Sequence, residues 1–330
     1  MNNEFYEDLL DQIADGVSFV NRDGRITYWN SGGERITGHS AHEVVGRRCS
    51  EAILSQINDA GGQLCQRGCP LGAVMKDGHP REIHVYLHHK DGQRVPVTVR
   101  NQALRDPDGT IVGAVEVFST RAANPYAGGR RVRNDGSLDP ITGLAPRSFG
   151  ELHLQTLMRA VAQRATTLGM LYINVDNFND VNDTFGHKTG DDVMRMVGQS
   201  LANGLRHGDI PIRWGGDKFL VLLLGTDRAG LHVVAERLRM LVENSWIQKG
   251  EVQARVTVSV GATMAIPSET AEEVVGRADR FMYASKRGGR NRVFTDSGTL
   301  ASQATQPILG TAIHCDHDAS DTRQLDLVPS

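Results

Sequence analysis

Two stretches of the chain combine residue types able to do chemistry. The first is Ile212 to Gly225, IRWGGDKFLVLLLG, in which two apolar runs meet at Gly-Gly-Asp-Lys. That is hairpin turn chemistry, and it sets the carboxylate of Asp217 at the tip of a buried ladder, where a metal could reach it. The second is Cys49 together with Cys65 and Cys69 in CQRGC. Together they could supply three thiolates, the Cys65–Cys69 spacing falls within the range seen for zinc, and His84, His88 or His89 are candidate imidazole donors. No second paired cysteine motif accompanies them, and buried thiols are the plainer reading.

The elements that must position Asp217 follow from periodicity. Helical spacing runs from about Phe149 to Ala165, and Met170 to Val175 reads as a buried strand. Val193, Met196, Val197, Leu201 and Leu205 mark a second helix, followed by the two strands flanking Gly215-Gly216. Leu231, Val234, Leu238 and Leu241 form a third helical stripe, and Val256 to Ala262 alternate as a strand. Strand, helix, hairpin, helix, strand is the split βαβ order of ferredoxin-like folds, which lays the first strand beside the central hairpin. The segment Asn174 to Asp176 then approaches Asp217, and acidic groups meeting at a sheet edge suggest metal-dependent phosphate chemistry.

Ahead of this domain, Leu9, Leu10 and Ile13 begin a short amphipathic helix, and apolar residues alternate on both sides of Asn-Arg-Asp-Gly at 21 to 24. A mixed helical stretch is expected to about Leu71. Ile83, Val85 and Leu87, then Val95, Val97 and Val99, then Ile111 to Phe118 give three further strands. The expected fold class is α+β, with an N-terminal antiparallel sheet and helices followed by a second sheet with helices. The boundaries read as a first domain at 5–120, a linker at 121–136, a second domain at 137–296 and a disordered tail at 297–330. The linker RAANPYAGGRRVRNDG is rich in helix breakers and shows no heptads. In the tail, His314, Cys315 and His317 are potential metal donors, with mobility the plainer reading.

At 330 residues, with 39% hydrophobic and 23% charged residues, the composition is that of globular protein with room for two cores. A net charge of -3 gives no electrostatic reason to expect nucleic acid as partner. No apolar run approaches the length needed to cross a bilayer, and the N-terminus lacks the order of a signal peptide. Four cysteines make no disulfide framework. A soluble cytoplasmic protein is the expectation.

DGVSFVNRDGRITYWN, ERITGHSAHEVVGRRC and DGQRVPVTVR together resemble a PAS sensory domain. SLDPITGLAPR, NVDNFNDVNDTFGHKTGDD, RWGGDKF, TVSVGAT and ADRFMYASKRGGRNRV, in that order, resemble a GGDEF domain of the diguanylate cyclase family, a nucleotidyl-cyclase-type fold. The resemblance implies a bacterial signal-transduction homodimer that joins two GTP into cyclic di-GMP, with magnesium or manganese as cofactor. It implies no ligand for the PAS-like domain.

Carried over by position, the resemblance makes Asp217 and the carbonyl of Val175 metal ligands, with Asn174 at the first ligand position and Asp176 as a candidate replacement on the same strand face. Asp217 and Asp176 are thus the catalytic candidates. Asn182 and Asp191 match guanine readers, Lys286 and Arg290 the basic pair facing the triphosphate, and Arg206 with Asp209 the RxxD inhibitory site for cyclic di-GMP. Three positions depart from the pattern. Asn174 replaces an aspartate, Asn179 a lysine, and Lys218 the glutamate of the signature, so the local charge is less suited to a hard cation. An alternative reading follows: a catalytically impaired domain that binds GTP or cyclic di-GMP as an effector module.

Overall fold

The structure, a computed structural model, describes residues 3–51, 54–65, 68–121, 124–127, 138–296 and 298–299. The candidate donors His314, Cys315 and His317 lie outside the described residues.

The first domain opens with α1 (Asn3–Asp11), then the hairpin β1 (Gly16–Asn21) and β2 (Ile26–Trp29), turned through Gly24 at φ 74°. Asn30 caps α2 (Ser31–Thr37) by accepting from the amide of Gly33, and the same oxygen accepts from the amide of Val17 on β1, fixing helix to sheet. Next come α3 (Ala41–Val44) and α4 (Pro70–Asp77), then the long strands β3 (Arg81–His88), β4 (Arg94–Arg105) and β5 (Ile111–Thr120). The antiparallel sheet runs β2-β1-β5-β4-β3. Its core is built by Val20, Ile26, Trp29, Val85, Val97, Val99 and Phe118. Between α3 and α4 the expected helical stretch is replaced, among the described residues, by irregular chain with positive-φ glycines at 46, 61 and 68.

The second domain contains β6 (Ala145–Pro146), α5 (Arg147–Ala162), β7 (Leu168–Val175), α6 (Phe178–Phe185), α7 (His187–Asn203), β8 (Ile210–Gly215), β9 (Lys218–Leu224) and α8 (Arg228–Glu243). It continues through the hairpin β10 (Trp246–Lys249) and β11 (Val252–Arg255), then β12 (Val258–Met264), α9 (Ala271–Arg287), β13 (Val293–Thr295) and β14 (Gly298–Thr299). The main sheet runs β14-β13-β12-β7-β9-β8-β6. β7 is buried along its whole length between two antiparallel neighbours, which explains its continuous apolar run. The fold class is α+β, as the periodicity indicates. The β10–β11 hairpin is an addition to the expected elements: its buried residues are Trp246 and Ile247 side by side and Ala254, which follow no regular alternation.

The two domains share a junction. Ile57 and Tyr86 of the first domain belong to the core of the second, as do Tyr126 and Ala127 from the stretch expected as plain linker. At the start of β4, Arg94 is wholly buried; its guanidinium donates to the carbonyls of Ser55 and Asn244 (2.6 Å from Nη2 to the latter). Its own carbonyl accepts from Asn203 at the end of α7, at 2.6 Å. His88 stacks on Trp246 with ring centroids 3.7 Å apart, and burial holds its pKa well below the ordinary histidine value.

Candidate functional site

β7, α6, the β8–β9 hairpin and the end of α9 converge at one end of the central strands of the second sheet. The hairpin turns through Gly215 at φ 142° and Gly216 at φ 56°, conformations that favour glycine and hold the turn tight. The amide of Val175 donates to the carbonyl of Asp217 at 3.0 Å, so the end of β7 is bonded to the hairpin tip. Asn174 lies directly opposite Lys218 across the β7–β9 pair. In antiparallel pairing such residues project from the same face, which puts the lysine charge beside the amide.

Asn174 is 3% exposed, and its side-chain oxygen is buried without a hydrogen-bond partner. An orphaned buried oxygen is an unmet acceptor that a bound cation would relieve. Among the described residues no three His, Cys, Asp or Glu side chains are gathered to hold a metal ion. The oxygen donors available for magnesium here are therefore the Asn174 amide, the Val175 carbonyl and Asp217.

Asp176 takes a different course. Its carboxylate accepts from Ser259 Oγ and Thr257 Oγ1, both at 2.7 Å, and from the amide of Asn291 at 3.1 Å. It is 4% exposed and tied to β12 and to the loop after α9. Three donors leave little lone-pair capacity for a cation. The loop it holds contains Arg290 and Asn291, both in left-handed backbone conformations, and presents Arg290 to solvent. Lys286, half-buried in the last turn of α9, sits one turn before it.

Asn182 on α6 and the start of α7 are packed by a glycine. A Cβ at Gly190 would come within 1.9 Å of Asn182 Oδ1, so only glycine lets the amide lie against α7 next to Asp191. Asn179 is exposed on α6.

Arg206 and Asp209 come together at the turn after α7, with Nε 3.4 Å from Oδ1. Burial raises the Asp209 pKa, while Arg206 acts against that rise. Asn124, buried, donates to the carbonyls of both residues, at 2.8 and 2.7 Å. Sequence reasoning missed Asn124, because a lone asparagine among helix breakers has no period to mark it. It also missed Arg213, two residues before the Gly-Gly turn. Arg213 stands over the Phe219 ring at 5.0 Å, within the electrostatic reach of Asp139, Asp217 and Asp191, and its Nη1 is buried without a partner.

The fold is that of a two-domain α+β protein, a five-stranded antiparallel sheet ahead of a seven-stranded sheet that carries the candidate site. Residues 137–292 match the family model described as diguanylate cyclase, GGDEF domain, and residues 10–123 match the PAS fold.

The chain is 26% identical over 302 residues to the cyclic di-GMP phosphodiesterase PdeR of Escherichia coli, a match covering 88% of this chain and 43% of the relative. It is 32% identical over 265 residues to the response regulator PleD of Caulobacter vibrioides, covering 68% of this chain and 58% of PleD. Among solved structures, the GGDEF domain of DgcB from Caulobacter crescentus, in complex with c-di-GMP, is 30% identical, with 51% of this chain and all of that chain covered at a TM-score of 0.48. The chain spans about half the length of the curated relatives it matches. No helix among the described residues is long and apolar enough to cross a membrane.

Proposed function

We propose that this chain is a cyclic di-GMP signalling protein in which a PAS domain regulates a GGDEF domain that binds guanine nucleotide. The observation that carries the reading is the Val175–Asp217 bond at the hairpin tip, which sets a carboxylate, a backbone carbonyl and the orphaned Asn174 oxygen at one end of the sheet within a GGDEF match. In the active form, a homodimer would hold one GTP on each half. Each ribose 3′-hydroxyl would lose its proton and bond to the partner's α-phosphorus as pyrophosphate leaves, giving cyclic di-GMP and two pyrophosphates. Bound magnesium or manganese would lower the pKa of the attacking hydroxyl and neutralise phosphate charge.

Within that reading Asn182 and Asp191 contact guanine, Lys286 and Arg290 face the phosphates, and Arg206 with Asp209 takes cyclic di-GMP. Asp176 acts by holding the Arg290 loop, not as a metal ligand. A second reading rests on a specific observation: Lys218 stands directly opposite Asn174, where a cation is least welcome to magnesium. The domain then serves as a nucleotide-binding effector with weak or no turnover. The names of the relatives do not choose between the two, since they include a phosphodiesterase and a response regulator.

Incubating the pure chain with GTP and magnesium or manganese, beside the double variant Asn174→Asp, Lys218→Glu, separates the readings. Product from both proteins supports the cyclase. Product from the variant alone assigns the natural chain to the effector class, and loss of cyclic di-GMP binding in Arg206→Ala then supports that class.

A further inference from the structure

Arg290 and Asn291 both hold left-handed backbone, at φ 61° and 46°, without being glycine. That conformation is costly for a residue with a Cβ, so contacts from outside the loop must keep it. Asp176 supplies one, through the Asn291 amide. Others come from α8. The Asn291 side-chain oxygen accepts from Arg239 Nη1, and its Nδ2 donates to Glu243 Oε1, both at 2.8 Å. Arg239 is 5% exposed and closes the ring by donating to Glu243 Oε2 and, through Nε, to Glu236 Oε2, each at 2.8 Å. Both ends of one amide are thus engaged by a buried ion pair, which fixes its orientation.

The residue after Glu243 is gripped from the first domain. The last carbonyls of a helix have no partner within it. That of Asn244, which ends α8, accepts from Arg94 Nε at 3.0 Å and from Nη2 at 2.6 Å. A guanidinium at this end also meets the negative pole of the helix dipole. Gly61 of the first domain packs on the same turn, where a Cβ would come within 2.9 Å of Met240 Sδ. Arg94 therefore caps α8 from another domain, one residue from the carboxylate that holds Asn291.

We propose that Arg239 and Glu243 are positioning residues for Arg290, and that Arg94, as the cap of α8, puts this positioning under the control of the first domain. The inference rests on the reading in which Arg290 faces the nucleotide phosphates, and it names how that contact is regulated. With the cap in place, the last turn of α8 keeps Arg239 and Glu243 in register with Asn291, and Arg290 stays presented to solvent. With the cap withdrawn, that turn frays, the amide loses its partners and the loop relaxes out of left-handed backbone. Asn182 and Asp191 lie on α6 and α7 and keep their geometry.

The test measures the affinity of the full chain for a non-hydrolysable GTP analogue and for guanosine, and amide hydrogen exchange across residues 286–295 without nucleotide. Guanosine lacks the phosphates, so the ratio of the two affinities reads the phosphate-facing loop and not general stability. Arg94→Met removes the cap and leaves the bond from Asn203 to the Arg94 backbone carbonyl in place. It should weaken the analogue roughly fivefold, leave guanosine within about twofold and speed exchange in the loop. Should that variant not fold, Arg94→Lys, which keeps the charge with fewer donors, is read by the same ratio. Asn291→Asp sets two carboxylates against each other and should weaken the analogue about tenfold. Adding Glu243→Gln, which faces a donor to an acceptor again, should return affinity and exchange to within about twofold of the natural chain. Equal losses of analogue and guanosine on removing the cap, unchanged exchange in the loop, or no recovery in the double variant overturns the proposal. If the natural chain binds neither compound, the guanine-nucleotide reading fails, while the coupling stands or falls on the exchange measurement.

Discussion

Asp176 and Asp217 stand at the same end of the same sheet and have opposite surroundings. Asp176 is buried, accepts three hydrogen bonds and ties β7 to β12 and to the loop carrying Arg290. Asp217 sits part-exposed on a glycine turn whose backbone, not its carboxylate, is bonded to β7. The comparison teaches that an acidic residue near a strand end is a ligand candidate only if its neighbours leave its oxygens unused. A carboxylate with three donors already on its oxygens acts as a structural clamp.

Four measurements break or sharpen that contrast. Asp176→Ala strands two hydroxyls and an amide, and should lower the stability of the second domain by about 3 kcal/mol in urea unfolding, against less than about 0.5 kcal/mol for Asp217→Ala. Equal losses would erase the distinction. Glu116 supplies a third case, an acid with only an amide for partner. Burial pushes its pKa from 4.5 up to about 7, so the folded state keeps its proton where the unfolded chain has lost it. Its stabilising contribution is full below about pH 4.5 and is lost as pH rises through about 7, a decline of about 3 kcal/mol. Glu116→Gln, followed by unfolding from pH 5 to 8, should lack that decline.

The double variant Asn174→Asp, Lys218→Glu should lose about 2 kcal/mol in divalent-free buffer, because it gathers like charges at the hairpin tip. Magnesium should restore most of it, and thermal unfolding with and without the ion checks this. The smallest effect concerns the nucleotide face. Gly190→Ala forces Asn182 aside and should weaken guanine-nucleotide binding by about tenfold, with under about 1 kcal/mol of stability lost. Binding measured by calorimetry, beside unfolding, separates the two.

The element order and Asp217 were legible because buried strands and glycine turns leave strong local marks: β7 runs apolar from Met170 to Ile173, and Gly215-Gly216 suits a tight turn. The clamp was not. Periodicity puts Asp176 on the face of Asn174, but β7 ends at Val175, and beyond a strand end the period no longer says where a side chain points. Arg94, Asn203 and Asn124 were hidden for a related reason. Each is a polar residue buried by a contact between segments far apart in sequence, and such contacts leave no periodic trace. Of the three cysteines, spacing suggested donors but could not show that Glu116, on a strand 47 residues beyond Cys69, shares their space.

Helix α7 is held at its last turn by the bond from Asn203 to Arg94 and presents Gly190 and Asp191 from its first. A helix of 17 residues is a rod of roughly 25 Å that cannot be shortened without breaking its ladder. A displacement at its last turn would therefore reach its first turn as displacement. The same rod makes the device two-way: a nucleotide gripping its first turn would resist any movement begun at the sensor.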